Sequence, residues 1–230
     1  MISLFKDMEA PPTYQELRAC ARALHAKCHD TPVARSYDLL RCARRLGVPI
    51  NGRTLLFDGE GDMNALMDFY YHEFRVDGKT LVQQMDAAAL GLSSLETSLL
   101  RAVQQARTSL YFIKEAQPDR QQVVLQDVLE QGRPDVALTD ISLSQSAAGS
   151  GAEILLFVRV VSVAGINMSS GLFFVFPAYR EEGLLDAFRK RTKKTAPADL
   201  PEERFRFFYE KNRQIGEPQA YADALPAASA

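Results

Sequence analysis

One long apolar stretch, from Ile154 to Phe176, constrains the fold of this chain more than any other feature. Its length would allow a membrane-spanning helix if length were the only criterion. Its composition argues against one, because Arg159 lies inside it and small or polar residues interrupt it between 165 and 171. Two buried strands joined by a tight turn at 164–165 fit this pattern better.

Three shorter runs of aliphatic and aromatic residues precede this stretch, separated by turn-forming clusters. They are Leu110 to Ile113, Val123 to Leu125 and Val136 to Thr139. Five short antiparallel strands usually close on themselves, because an open sheet would leave long apolar edges. The sequence therefore predicts an α+β fold that contains a small five-stranded antiparallel barrel or curled sheet.

The first half of the chain has helical spacing of its apolar residues. Two capping boxes, Thr13 with Glu16 and Ser93 with Glu96, mark helix starts. The expected helices cover 13–28, 32–46, a segment from 62 to about 74, 80–89 and a segment from 93. Helical spacing returns after Pro177, which predicts two C-terminal helices. The expected units are 1–108 helical, 109–178 sheet, 179–215 helices and 216–230 a flexible tail.

Composition and charge exclude several classes of protein. Hydrophobic residues make up 47% and charged residues 24% of the chain, as in ordinary globular proteins. The formal net charge of -2 creates no overall field that would attract nucleic acid or an anionic membrane. Three cysteines match no disulfide framework, and the N-terminus has no apolar core of signal-peptide length. We expect a cytoplasmic protein with no membrane partner.

A resemblance to known sequences covers roughly residues 66 to 175. The segments DFYYHEFRVDGKTLVQQM, LSSLETSLLRAVQQARTSLYFIKE and VVLQDVL carry it, followed by DISLSQSAAGSGAEILLFVRVVSVAGINMSSG. The chain resembles a group of uncharacterised bacterial proteins, some of which end in a metal-binding tail of the SEC-C type that this chain lacks. The resemblance supports the fold and implies no catalytic residues.

Potential metal ligands lie close together in the predicted helical hairpin. His25, Cys28 and His29 could share one ion, but Cys42 would be about three helical turns away and a fourth ligand would be missing. The cysteines also fall on apolar stripes, where free cysteine behaves as a small core residue. We therefore assign no metal and no cofactor, although the three-residue group stays open.

The one concentrated basic run suggests a polyanion site. It consists of Arg189, Lys190, Arg191, Lys193 and Lys194. Aromatic residues at 205–209 follow it and could stack on bases beside a small barrel. The alternative is a helix whose C-terminal basic residues complement its dipole and whose aromatic residues lie in the core.

Three hypotheses about function follow from these patterns. The sequence favours a non-catalytic interaction or binding module that contacts a protein or a second copy of itself, because the long apolar strand pair needs cover. Nucleic-acid binding through 189–194 is the first alternative. The second is an enzyme with a pocket between the helical and β parts, where Asp68, His72 and Arg159 would supply the polar groups.

Overall fold

A computed structural model describes residues 11–150 and 153–217 of the chain. Eight α-helices lie within those ranges: α1 Tyr14–His29, α2 Pro32–Ser36, α3 Leu39–Leu46, α4 Glu60–His72, α5 Ser94–Gln105, α6 Ile141–Ser150, α7 Glu181–Thr192 and α8 Leu200–Ile215. Four two-residue strands make two small hairpins: β1 Ile50–Asn51, β2 Thr54–Leu55, β3 Arg75–Val76 and β4 Lys79–Thr80. Five further strands form the main sheet: β5 Arg107–Gln117, β6 Gln122–Asp127, β7 Val136–Thr139, β8 Ile154–Val163 and β9 Ile166–Pro177. The predicted α+β class is confirmed.

The strands of the main sheet pair in the order β5-β6-β7-β9-β8, and β8 pairs again with β5. Every pairing is antiparallel except that of β7 with β9, which is parallel and joins Leu138 to Asn167. The prediction of an all-antiparallel sheet is therefore wrong at this position. The reason is geometric, because a ring of five strands cannot alternate in direction all the way round and one neighbouring pair must run parallel.

The apolar strand β8 is buried on both of its faces. Leu155, Phe157 and Val161 join the large core beneath the helices, whereas Leu156 and Val158 join a smaller core inside the sheet. Alternate side chains of a strand point to opposite faces, so a strand covered on both sides is continuously apolar. This explains why the sequence of β8 has no polar alternation.

The turn between β8 and β9 lies where the sequence predicts it. Ala164 and Gly165 both have positive φ angles, of 50° and 79°, as a two-residue hairpin turn requires. Farther along the pair, the register shifts between Val158 and Val160, so Arg159 has no direct partner in β9. Gly171, with a φ of 105°, lies in the strand opposite this shift. Such β-bulges redirect side chains, here those of Arg159 and Ser170.

Two predicted helices differ from those observed. The segment 32–46 forms two helices, because Tyr37 is extended and the side chain of Asp38 accepts a hydrogen bond from the Arg41 amide, which starts α3. The segment 80–89 contains only a 3₁₀ turn over Val82–Gln84. Thr80 belongs to β4, where it pairs with Arg75, so no helix can begin there.

Both ends of the chain extend beyond the described residues. The predicted loose tail begins at 216, but the amide of Glu217 still donates a hydrogen bond to the carbonyl of Val175 in β9, at 2.9 Å. The rest of that tail, from 218, lies outside the described residues, as do residues 1–10. Within the described ranges, each helix is too short or too polar to cross a membrane.

Aromatic rings join helix α8 to the main sheet. The ring of Phe157 stacks on Phe174 in β9 with centroids 5.6 Å apart and on Phe208 in α8 at 4.6 Å. Phe205 completes the group at 5.9 Å from Phe157. Phe157 is 1% exposed, so its ring is fully used in packing.

We predict that Phe157→Ala lowers the free energy of unfolding by about 3–5 kcal/mol, because it removes a buried ring and leaves a cavity. Urea denaturation monitored by circular dichroism measures this loss. Tyr179→Ala serves as the control, since Tyr179 is 78% exposed and its removal should change the stability by less than about 0.5 kcal/mol. Equal effects of the two substitutions would contradict the assignment of Phe157 to the core.

Candidate functional site

The three polar residues that the sequence suggested for a pocket lie together between helix α4 and the main sheet. Arg159 of β8 is 2% exposed, and one guanidinium nitrogen contacts Asp68 at 2.9 Å and Glu73 at 2.7 Å. Asp68 and His72 are one turn apart on α4, and Glu73 follows the end of that helix. The ion pairs therefore connect the sheet to the C-terminal end of α4.

Hydrogen bonds complete the surroundings of these two carboxylates. The hydroxyl of Ser170 in β9 donates to Asp68 at 2.9 Å, and Thr108 in β5 donates to Glu73 at 3.4 Å. Burial is the largest single influence on Asp68 and opposes its ionisation, but the charge of Arg159 together with the hydrogen bonds from Arg159 and Ser170 outweighs it, so the pKa of Asp68 is lowered overall. Burial raises the pKa of Glu73 in spite of its contact with Arg159. One cation thus faces two buried carboxyl groups with different proton affinities.

His72 borders this cluster and carries no charge at neutral pH. Burial, together with the nearby charge of Arg159, lowers its pKa to about 3, although Asp68 acts in the opposite direction. Its Nδ1 atom is buried and has no hydrogen-bond partner among the described residues. His72 lines two cavities, one of about 410 Å³ and one of about 180 Å³, and Arg159 and Glu73 line the smaller one.

The larger cavity lies between the helices α1, α4 and α5 on one side and the strands β8 and β9 on the other. Its apolar wall comes from side chains in four of these elements: Leu24, Leu99, Leu100, Val103, Val161 and Met168. A space of about 410 Å³ is within the range of small-molecule sites, which measure roughly 300–1,000 Å³. The cavity therefore lies between helices and the main sheet, and of the three polar residues that the sequence suggested only His72 lines it.

The charged side chains that line this cavity are the basic residues Arg18 and Arg22. Arg18, Arg22 and His25 contribute from α1 at helical spacings of four and three, and His72 contributes from α4. Arg18 donates to the carbonyl of Ser169 at 2.9 Å, whereas Arg22 has no ion pair within the described part of the chain. Among the described lining residues there is no Asp or Glu. An anionic group is therefore the charge that fits this cavity.

Tyr71 lines the cavity and contacts two histidines of α1, of which His25 also lines it. Its ring centroid lies 4.5 Å from that of His25, and its hydroxyl is 2.9 Å from Nδ1 of His29. Burial, followed by the adjacent His29, lowers the pKa of His25. The aromatic ring thus holds two histidines of α1 in place.

The His25, Cys28 and His29 group shows no metal geometry. Within the described residues, no set of three or more His, Cys, Asp or Glu side chains is arranged to hold a metal ion. Cys28 is 3% exposed and Cys42 is fully buried, and all three cysteines are free thiols. Burial raises the pKa of Cys28, which keeps it protonated and unreactive.

The basic run is exposed at the end of α7, but part of its charge is already paired. Arg191 contacts Glu203 at 2.5 Å and Glu210 at 2.6 Å, and Arg189 contacts Asp186 at 3.2 Å. Lys190, Lys193 and Lys194 have no ion pair within the described ranges. The aromatic residues that follow are core residues, because Phe205, Phe207, Phe208 and Tyr209 are each at most 2% exposed. These rings cannot stack on bases.

Comparison with known proteins assigns a family but no activity. The chain belongs to the DUF7986 family, a family of unknown function, whose model matches residues 8–222. The prediction of an uncharacterised family is thereby confirmed. No curated protein and no solved structure matches the chain.

Sequence reasoning missed Arg18 and Arg22 as site residues. Their spacing with His25 forms a polar stripe on one face of α1, which looks like an ordinary solvated helix face. The opposite wall of the cavity comes from β9, about 150 residues away in the sequence. The cavity can therefore be recognised only in the folded chain.

We predict that Arg159→Leu lowers the free energy of unfolding by about 3–5 kcal/mol, because it leaves two buried carboxyl groups without their cation. Chemical denaturation measures the change. Arg35→Leu is the matched control, since Arg35 is exposed on α2 and forms no ion pair with a described residue. A loss below about 1 kcal/mol for Arg159→Leu would contradict the role of this cluster.

We also predict that stability falls as the pH drops below 6.5, the ordinary pKa of histidine. The folded chain excludes a proton from His72 until about pH 3, whereas the unfolded chain binds it near pH 6.5, so acid favours unfolding in between. The contribution approaches about 1.4 kcal/mol per pH unit. Urea unfolding of wild type and His72→Gln at several pH values should show a shallower dependence in the variant. Identical slopes would contradict this account.

Proposed function

We propose that this protein is a binding module for a small molecule with an apolar body and an anionic end. The observation that carries the proposal is the cavity of about 410 Å³, whose walls are apolar and whose charged lining is basic. Pockets of this kind, mainly apolar with a few convergent polar groups, are typical of ligand sites. The apolar body would pack against Leu24, Leu100 and Val103.

The anionic end is assigned to Arg22 and Arg18. A guanidinium binds carboxylate or phosphate with two parallel hydrogen bonds, and Arg22 has no carboxylate partner among the described residues. Arg18 already donates one hydrogen bond to Ser169 and keeps further N–H groups for a ligand. The neutral ring of His72 would offer a hydrogen bond without charge.

Asp68 and Arg159 are proposed as positioning residues rather than catalytic ones. Arg159 is committed to Asp68 and Glu73, and His72 is too weak a base near neutral pH to take up a proton. The enzyme hypothesis therefore ranks below ligand binding. The nucleic-acid hypothesis for 189–194 is supported only by the exposed basic residues, because the aromatic residues that would stack on bases are buried.

The hypothesis of a protein partner loses its first motivation in this fold. Strand β8 is hydrogen-bonded to β5 on one side and to β9 on the other, so both edges of this apolar strand are covered within the chain, and the outer edge of β9 pairs with β7 at Asn167. We propose that the ring of five strands forms a small barrel and that the chain is organised into the units 1–108, 109–178 and 179–215.

We also propose a cytoplasmic location, because the free cysteines are typical of proteins from a reducing compartment.

The test uses matched probes and a pair of variants. Thermal shift and calorimetry would compare aliphatic and aromatic carboxylates with their neutral amides. We expect the carboxylates to bind wild type more tightly, by about tenfold, because the charged group adds about 1.4 kcal/mol. Ala21→Phe should block binding, because Ala21 lines the cavity. Ala23→Phe, on the exposed face of the same helix, should preserve it.

Two results would reject this proposal. One is that no probe of either charge stabilises wild type. The other is that Ala21→Phe, when folded by circular dichroism, binds the probes as wild type does.

A further inference from the structure

A second basic site shares no lining residue with the cavity between α1 and the sheet, which is called the α1 cavity below. It is an open cleft of about 500 Å³ where α3, β3 and α8 meet. The charged side chains that line it are Arg41, Arg44, Arg45, Arg75 and Glu202. Four guanidinium groups thus surround one carboxylate.

Three of these four arginines lack a carboxylate partner. Arg45 pairs with Glu202, but Arg41, Arg44 and Arg75 form no ion pair within the described part of the chain. The guanidinium of Arg41 lies 5.8 Å from the ring centroid of Phe74, which forms one wall of the cleft. Arg41 and Arg44 are exposed, so both are free to reach a ligand.

Arg75 approaches the cleft from a different element. One of its terminal nitrogens donates to the carbonyl of Ala198, which holds the side chain in place. Its Nε atom is buried and has no hydrogen-bond partner among the described residues. A buried donor without an acceptor costs free energy, so the guanidinium of Arg75, which lines the cleft, is not fully satisfied by its own chain.

The sequence of α3 explains why its arginines converge. Arg41, Arg44 and Arg45 are spaced by three and four residues and share one face, while Cys42, Ala43 and Leu46 are buried on the other. Like charges at this spacing repel each other. The helix dipole favours basic residues in the last turn, which accounts for Arg44 and Arg45. It does not account for Arg75, which belongs to β3.

The nearby carboxylates neutralise only one member of the group. Glu202, Glu203 and Asp199 all act on Arg45 and raise its pKa. Arg206 of α8, which donates to the carbonyl of Arg45, is paired with Glu203 at 2.7 Å. The uncompensated positive charge of the cleft therefore comes from Arg41, Arg44 and Arg75.

We propose that this cleft binds the phosphate group of a compact phosphorylated small molecule. Guanidinium forks match phosphate oxygens in geometry and charge, and three unpaired forks suit a dianion or a pyrophosphate. The free arginines surround a single cleft instead of forming a line along a groove, which favours a compact ligand over an extended nucleic-acid strand. This site is independent of the ligand proposed for the α1 cavity.

Isothermal titration with inorganic pyrophosphate at constant ionic strength tests the proposal. The cleft variant is Arg41→Gln with Arg44→Gln, and the control with the same loss of charge is Arg35→Gln with Arg53→Gln. Both control arginines are exposed and form no ion pair with a described residue. We expect the cleft variant to bind at least about tenfold more weakly than wild type and the control to bind within about twofold.

A parallel titration with a single-stranded oligonucleotide separates the two sources of phosphate. Pyrophosphate binding that depends on the cleft supports the compact ligand. Cleft-dependent binding of the oligonucleotide alone overturns the compact ligand and assigns the cleft to a nucleic-acid backbone, with an affinity that falls steeply with salt. The phosphate site itself is rejected if neither probe binds, or if the cleft variant and the control bind equally well.

Discussion

The buried contact of Arg159 with Asp68 and Glu73 is the interaction on which the arrangement of this protein depends. It joins the middle of β8 to the end of α4, and Asp68 also accepts a hydrogen bond from Ser170 of β9. Burying three ionisable groups is costly, so the cluster contributes little net stability compared with an apolar core. Its effect is positional, because Asp68 and Glu73 can both be satisfied in only one placement of the helix on the sheet. The α1 cavity lies next to this contact between α4 and the sheet, and His72 of α4 lines it.

Local signals in the sequence predicted the elements better than their assembly. The two capping boxes start α1 and α5 at the predicted residues, and the broken apolar stretch forms the hairpin of β8 and β9. Helix α6 went unnoticed because Ile141–Ser150 is rich in serine and small residues, which are typical of loops. It forms because Asp140 caps it and because Leu143 and Ala147 pack on the smaller core. The parallel pairing of β7 with β9 depends on the closure of the ring of strands, which no local sequence pattern indicates.

For the candidate sites too, individual residues could be recognised in the sequence, but most of the groups that they form could not. Arg159 was recognisable as a charged residue inside an apolar strand, and Asp68 and His72 as polar neighbours beside an apolar stripe. These residues converge because a buried charge must find partners. The basic groups that line the cavities could not be grouped in advance. Arg18 faces Ser169, and Arg44 faces Arg75, only after strands and helices from distant parts of the chain have packed.

Native mass spectrometry of freshly purified protein, compared with its denatured mass, shows whether the α1 cavity holds a ligand. A cavity of this size is large enough for a small molecule that could remain bound through gentle purification. The proposed ligand site predicts an added small-molecule mass in the native spectrum that disappears on denaturation and is missing from Ala21→Phe. A native mass equal to that of the bare chain, together with no mass gained after incubation with a cell's small-molecule extract, would contradict it.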